Sequence, residues 1–169
     1  TKLLNEAKKT AKAADKVIVV IGLTFLEESE GFDHASYQIA PGHQQLLDAV
    51  IASNDNVIVV LQNGSPVAMP WIEKVDGIIE AYLGGQAGGL ALADVITGKV
   101  NPSGKLAETF PVKIEDNPTH IAWAGEEGKT YYNEGPFVGY RYYDEKKIKP
   151  LFPFGYGLSY SQFEFSDIN

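Results

Sequence analysis

Cysteine is absent from the 169 residues. Without a thiol there is no disulfide, no thiolate zinc site, no iron–sulfur cluster and no cysteine nucleophile. Long apolar runs are absent too. They stop at about five residues, far short of the ~20 that carry a helix across a bilayer. Positive charge is scarce, with 14 basic against 22 acidic residues and a net charge of -8. Nucleic acids and anionic membranes are bound through Lys and Arg, so neither is an expected partner. No basic stretch followed by an apolar one opens the chain at Thr1, so no signal peptide is read; the compartment stays open, with a cytoplasmic setting slightly favoured. No serine stands in a G-x-S-x-G context, which leaves a hydrolase elbow without support. His34, His43 and His120 have no ligand-like spacing; neither a metal nor a cofactor is expected.

What remains is a normal globular balance, 44% hydrophobic and 21% charged, which argues against disorder. The length suits one domain that buries roughly 70% of its unfolded surface. The first two-thirds alternate helical and extended patterns. Residues 3–14 carry Leu3, Leu4, Ala7, Ala11 and Ala14 at helical spacing, and residues 43–52 do the same with Leu46, Leu47, Val50 and Ile51. Val17–Ile21 and Val57–Leu61 are β-branched runs ending at Gly22 and at Asn63-Gly64. Gly77–Leu83 predicts a third strand, residues 88–97 a helix after a Gly-rich turn, and Lys105–Phe110 a fourth strand. Strands alternating with helices imply parallel pairing through right-handed crossovers, hence a layered α/β/α sandwich with a mostly parallel sheet. Residues 131–169 hold 12 of the 19 aromatics, which predicts a long C-terminal region of ordered loops packed by rings.

In parallel α/β sheets the working loops lie beyond the carboxyl ends of the strands. The loop after Val17–Ile21 carries Glu27, Glu28, Glu30 and Asp33 within seven residues. Crowded carboxylates raise one another's pKa, and Phe32 would add desolvation. A carboxyl kept protonated near neutral pH is what a general acid requires. On spacing alone the loop reads either as such a site or as a solvated acidic turn. Gly84-Gly85-Gln86-Ala87-Gly88-Gly89 opens a helix but matches no phosphate-binding fingerprint, so tight turning is the better reading. Asn63-Gly64-Ser65 is formally a glycosylation acceptor, yet its place at a strand end before Pro66 reads as a turn.

Taken together and in order, the motifs resemble a known family. Glu28-Ser29-Glu30-Gly31-Phe32-Asp33 resembles the acid/base loop of glycoside hydrolase family 3 β-glucosidases. Asn63-Gly64-Ser65-Pro66-Val67, Gly85-Gln86-Ala87-Gly88-Gly89, Asn101-Pro102-Ser103-Gly104-Lys105-Leu106, Val138-Gly139-Tyr140-Arg141-Tyr142-Tyr143-Asp144 and Phe152-Pro153-Phe154-Gly155-Tyr156-Gly157-Leu158-Ser159-Tyr160 are similar to later stretches of the same domain. The resemblance covers about residues 7–165. It implies the C-terminal α/β sandwich domain, residues 1–165, truncated at its N-terminus, with 166–169 beginning a linker. It implies that an (β/α)8-barrel domain of the same polypeptide supplies an aspartate nucleophile, and that a fibronectin-III-like domain can follow. Glu30, directly before Gly-Phe-Asp, takes the general acid/base role, with Glu28 as the runner-up. The family's usual Arg after this Asp is His34 here, which bears on how the loop is anchored. The expected activity is that of a retaining β-glycosidase acting on a β-glucoside or oligosaccharide. The chain alone is expected to be inactive or nearly so. Substrate-binding residues are not assigned. The rival from another class is a non-catalytic sandwich module that serves as scaffold or sugar-binding wall. A flavodoxin-like nucleotide binder is disfavoured, because the Gly-rich turn follows the third strand and acidic residues crowd the first loop.

Overall fold

Two nearly identical β-branched segments form the heart of the first half of the chain. β1 (Val17–Gly22) and β2 (Val57–Gln62) run parallel, paired from Val17 with Val57 through Gly22 with Gln62. β3 (Gly77–Glu80) adds to β2 in the same direction, from Ile58 with Gly77 to Leu61 with Glu80, giving the order β1-β2-β3. The expected α/β architecture with a parallel sheet is therefore what the chain adopts. The computed structural model describes residues 1–31, 34, 36–123 and 125–166. The expectations for Phe32 and Asp33, and most of the 166–169 linker, lie outside the described residues.

The chain forms two compact units, Thr1–Gly84 and Gly85–Asn169. In the first, β2 is central, and Val57, Val59, Val60 and Leu61 are wholly buried. On both faces its apolar run is covered, which is why it shows no polar alternation. β1 alternates instead: Val19 and Ile21 are buried while Ile18 and Val20 are exposed. Helices α1 (Lys2–Ala13) and α2 (Pro41–Ile51) pack on each other, and α2 packs on β1 through a face that buries Leu47 and Val50. Pro41 opens α2, where its missing N–H costs nothing. Asn54 closes α1 from a distance: its Nδ2 donates to the carbonyl of Ala14 at 2.7 Å and, at 2.8 Å, to that of Ala11, which also accepts Ala14 N–H. Val67 and Trp71 are buried as well. β3 stops earlier than the predicted Leu83, because Tyr82 takes a left-handed backbone with φ of 49°.

In the second unit, α3 (Gly88–Ile96) follows the Gly-rich turn, closed by Gly88 N–H on the Gly85 carbonyl at 2.9 Å. The predicted fourth strand at Lys105–Phe110 is not one. Leu106 N–H donates to Tyr156 O and Phe110 exchanges backbone bonds with Leu151 and Phe152, leaving a single bridge between Phe110 and Phe152. Pro153 lacks the N–H a ladder needs at that point, and Pro111 ends the segment. Within the predicted loop region lies a helix that the pattern did not announce, α4 (Tyr140–Lys146). Its aromatic residues are poor helix formers, and packing supports it instead. Tyr143 is buried, and Tyr140 stacks on Phe154 with centroids 5.3 Å apart. Burial pushes the Tyr143 phenol up to about 12, with Asp116 and Tyr142 adding to the shift.

Candidate functional site

The carboxyl ends of the three strands carry a connected polar layer. Asn63, the first residue after β2, is fully buried. Its Nδ2 donates to the Ser65 carbonyl at 2.8 Å and to Glu80 Oε2 at 3.3 Å. Glu80, the last residue of β3, also accepts from Tyr82 N–H at 3.0 Å. The turn after β2 is thus tied to the end of β3. Asn63 in this role is a turn residue with its amide nitrogen committed to the protein, in keeping with the reading of Asn63-Gly64-Ser65 as architecture.

The acidic loop leaves β1 at Gly22 and lies on that layer. Its exit is fixed by Leu23 N–H on Gln62 O at 3.1 Å, and by His43 of α2, whose Nδ1 stands 2.9 Å from the Gly22 carbonyl. It then makes a tight turn, in which Glu27 and Glu28 N–H both reach the Thr24 carbonyl, at 2.8 and 2.9 Å. Farther along, the Tyr37 carbonyl accepts from Ala68 N–H at 2.8 Å, tethering the loop again to the segment after β2.

The three described glutamates of the loop go to different places. Glu27 folds back, its Oε2 accepting from Thr24 N–H at 2.9 Å. That backbone bond holds its carboxyl below the usual range against an opposing desolvation, with a side-chain bond to Thr24 and the charges of His43 and His34 helping. The direction is opposite to the expected mutual elevation of crowded carboxylates. At Glu27 the hydrogen bond to the charged form decides the direction. Glu28 turns inward and is half-buried: Oε2 accepts from Gly64 N–H at 2.7 Å and Oε1 from Ser65 Oγ–H at 2.9 Å. Glu30 stands exposed on the next turn, where Ser29 Oγ approaches its backbone carbonyl at 3.4 Å. Its carboxylate accepts no hydrogen bond from another described residue.

Of its described glutamates, the loop presents Glu30 outward, with Glu28 committed to the scaffold. His34 is half-buried, while His120 belongs to the second compact unit. Ser65, Glu80 and His43 were not singled out as site residues from sequence. Ser65 and Glu80 sit at strand ends, where a period-two pattern stops carrying information. His43 was visible only as an unpaired histidine in the first turn of a helix.

The model of the glycosyl hydrolase family 3 C-terminal domain matches residues 1–160. Thermostable beta-glucosidase B of Acetivibrio thermocellus is 58% identical over 167 residues, 99% of this chain and 22% of that protein. An exo-alpha-(1->6)-L-arabinopyranosidase of Bifidobacterium longum is 50% identical over 98% of this chain and 22% of its own length. The crystal structure of a GH3 beta-glucosidase of Bifidobacterium adolescentis superposes with a TM-score of 0.92 at 54% identity, over 95% of this chain and 24% of that one. The chain thus spans about a fifth of the length of these curated relatives.

Proposed function

The chain belongs to glycosyl hydrolase family 3, whose C-terminal domain it matches over residues 1–160, and from that premise we propose that it supplies the acid/base carboxyl, Glu30, to a retaining, exo-acting β-glycosidase. The relatives are glycosidases about five times as long, so the working unit is a longer polypeptide. In it an (β/α)8-barrel domain supplies the nucleophile, and a fibronectin-III-like domain can follow. The substrate class is a β-glucoside, cleaved at a terminal non-reducing β-D-glucosyl residue. Relatives at 58% and 50% identity carry the names of a β-glucosidase and an arabinopyranosidase. This supports the view that the sugar is chosen largely outside this domain.

One observation carries the reading. Glu30 is the described glutamate of the strand-end loop whose carboxylate accepts no hydrogen bond from another described residue, whereas Glu27 and Glu28 are occupied. A retaining enzyme holds its two carboxyls about 5–5.5 Å apart. In the first step the nucleophile's oxygen bonds to the anomeric carbon while the glycosidic C–O bond breaks. The departing oxygen takes the proton of the Glu30 carboxyl. In the second, the Glu30 carboxylate takes a proton from water as that water's oxygen bonds to the anomeric carbon and releases the nucleophile.

The test uses the complete polypeptide. Glu30→Ala is expected to slow hydrolysis of glucosides with poor leaving groups by about 10²–10⁴-fold. Glycosylation by an aryl glucoside with an acidic leaving group is expected to suffer far less, because that group departs without a proton. Azide is expected to restore turnover of the activated substrate, since the anion attacks without a general base. Unchanged activity in Glu30→Ala would instead favour the non-catalytic scaffold.

A further inference from the structure

Between Thr24 and Gly31 the loop holds itself by local bonds within the turn. Among the described residues, the hydrogen bonds that leave this stretch are the two made by Glu28, to Gly64 N–H and Ser65 Oγ–H. Resting on the assignment of Glu30, we infer that Glu28 is a positioning residue: a latch that docks the acid/base loop on the turn after β2 and so sets where Glu30 stands.

The geometry gives the latch its direction. Glu28 uses both carboxylate oxygens, one on a backbone donor and one on a hydroxyl. Two contacts fix the rotation of the carboxylate as well as its distance, and charge-assisted bonds of this kind are the stronger ones. Their receiver is not a mobile surface. Ser65 is held through its carbonyl by the buried Asn63, which is itself tied to Glu80 at the end of β3. The path from the sheet to the acid thus runs Glu80, Asn63, Ser65, Glu28, and Glu30 follows two residues later. Gly64 fits the same device. A Cβ there would stand 3.0 Å from Glu28 Oε1 and 3.2 Å from its Cδ, so an alanine makes the carboxylate give by a few tenths of an ångström.

Misplacing a reacting group by about 1 Å costs on the order of 10²-fold in rate. In the complete polypeptide, Glu28→Ala is expected to lower kcat on poor-leaving-group glucosides by about 10–100-fold, with KM little changed. Glu28→Gln is expected to recover most of that loss, because its amide oxygen still accepts from Gly64 N–H. A residue acting as the acid would lose as much with Gln as with Ala. Ser65→Ala and Gly64→Ala are expected to reproduce part of the Glu28→Ala defect while every carboxylate of the loop is kept. The double variant Glu28→Ala/Ser65→Ala is expected to be no worse than Glu28→Ala, since the two share one contact. Hydrogen exchange at Gly64 N–H is expected to accelerate in Glu28→Ala and not in Glu30→Ala. Wild-type kcat in Glu28→Ala and Ser65→Ala beside an impaired Glu30→Ala overturns the latch and leaves the acid/base assignment standing. Unchanged Gly64 exchange in Glu28→Ala overturns it as well, whatever Glu30→Ala does. A Glu28→Gln variant as impaired as Glu28→Ala, and rescued by azide, makes Glu28 the acid and overturns both readings.

Discussion

A methyl group at Gly22 would decide whether the acidic loop can leave its strand. Gly22 pairs with Gln62 at the last step of the β1–β2 register, and a Cβ built on it runs into the Gln62 carbonyl. That oxygen is backbone, in a strand that is buried for most of its length, and it cannot swing aside as a side chain would. Gly22 also offers its own carbonyl to His43, so a displaced Gly22 loosens the start of the loop together with the end of the strand. Gly22→Ala is therefore expected to cost about 1–3 kcal/mol, the usual range for forcing volume into a packed site. In urea the midpoint should fall while the slope stays constant, since the surface exposed on unfolding is unchanged. A wild-type midpoint would mean that the close approach to Gln62 relaxes freely. From sequence alone Gly22 marked only where the β-branched run stops. Nothing in a one-dimensional pattern reveals which carbonyl a missing side chain makes room for.

At the scale of elements, the loop turn is held by a carboxylate that works only when charged. The Glu27 carboxyl sits below its ordinary value of 4.5, chiefly because it accepts Thr24 N–H. A lowered folded-state value means that the contribution is present above 4.5 and is lost as pH falls through that value and on through the folded one. The Thr24 amide proton signal is thus expected to hold steady at neutral pH and to move on acidification with a midpoint below 4.5. Glu27→Gln should remove the transition. A midpoint above 4.5 would return the loop to the picture of crowded carboxylates raising each other. That picture came from counting four acids in seven residues, and it is where spacing misleads. Spacing reports how near the residues lie along the chain, whereas the pKa depends on which way each side chain turns. β1, β2 and α2 were legible because burial imposes period two, an unbroken apolar run, or helical spacing on them. Lys105–Phe110 looked the same in pattern, yet Pro153 in the facing segment leaves no ladder for it to join.

At the scale of the whole molecule, the chemistry and the chain length must be read together. The order of motifs from Glu28 through Tyr160 made the family legible. The aromatic-rich C-terminal third was legible in composition but not in form: α4 depends on where Tyr143 and Phe154 find their neighbours, which composition cannot say. Retaining hydrolysis needs a nucleophile facing the acid. Among the described glutamates of the loop, Glu27 and Glu28 are engaged in holding it, so neither is available as Glu30's partner. The 169-residue chain by itself is therefore expected to give no enzymatic turnover of an aryl β-glucoside, although its loop is formed. The measurement pairs two readouts on one purified sample. Release of the aryl group is followed at rising protein concentration, and the Thr24 and Gly64 amide signals report whether the loop is in place. The expected result is background release together with both amides in their hydrogen-bonded positions. Release that grows with protein concentration and disappears in Glu30→Ala would mean that both carboxyls lie within these residues, and the proposal of a second, nucleophile-bearing domain would fall.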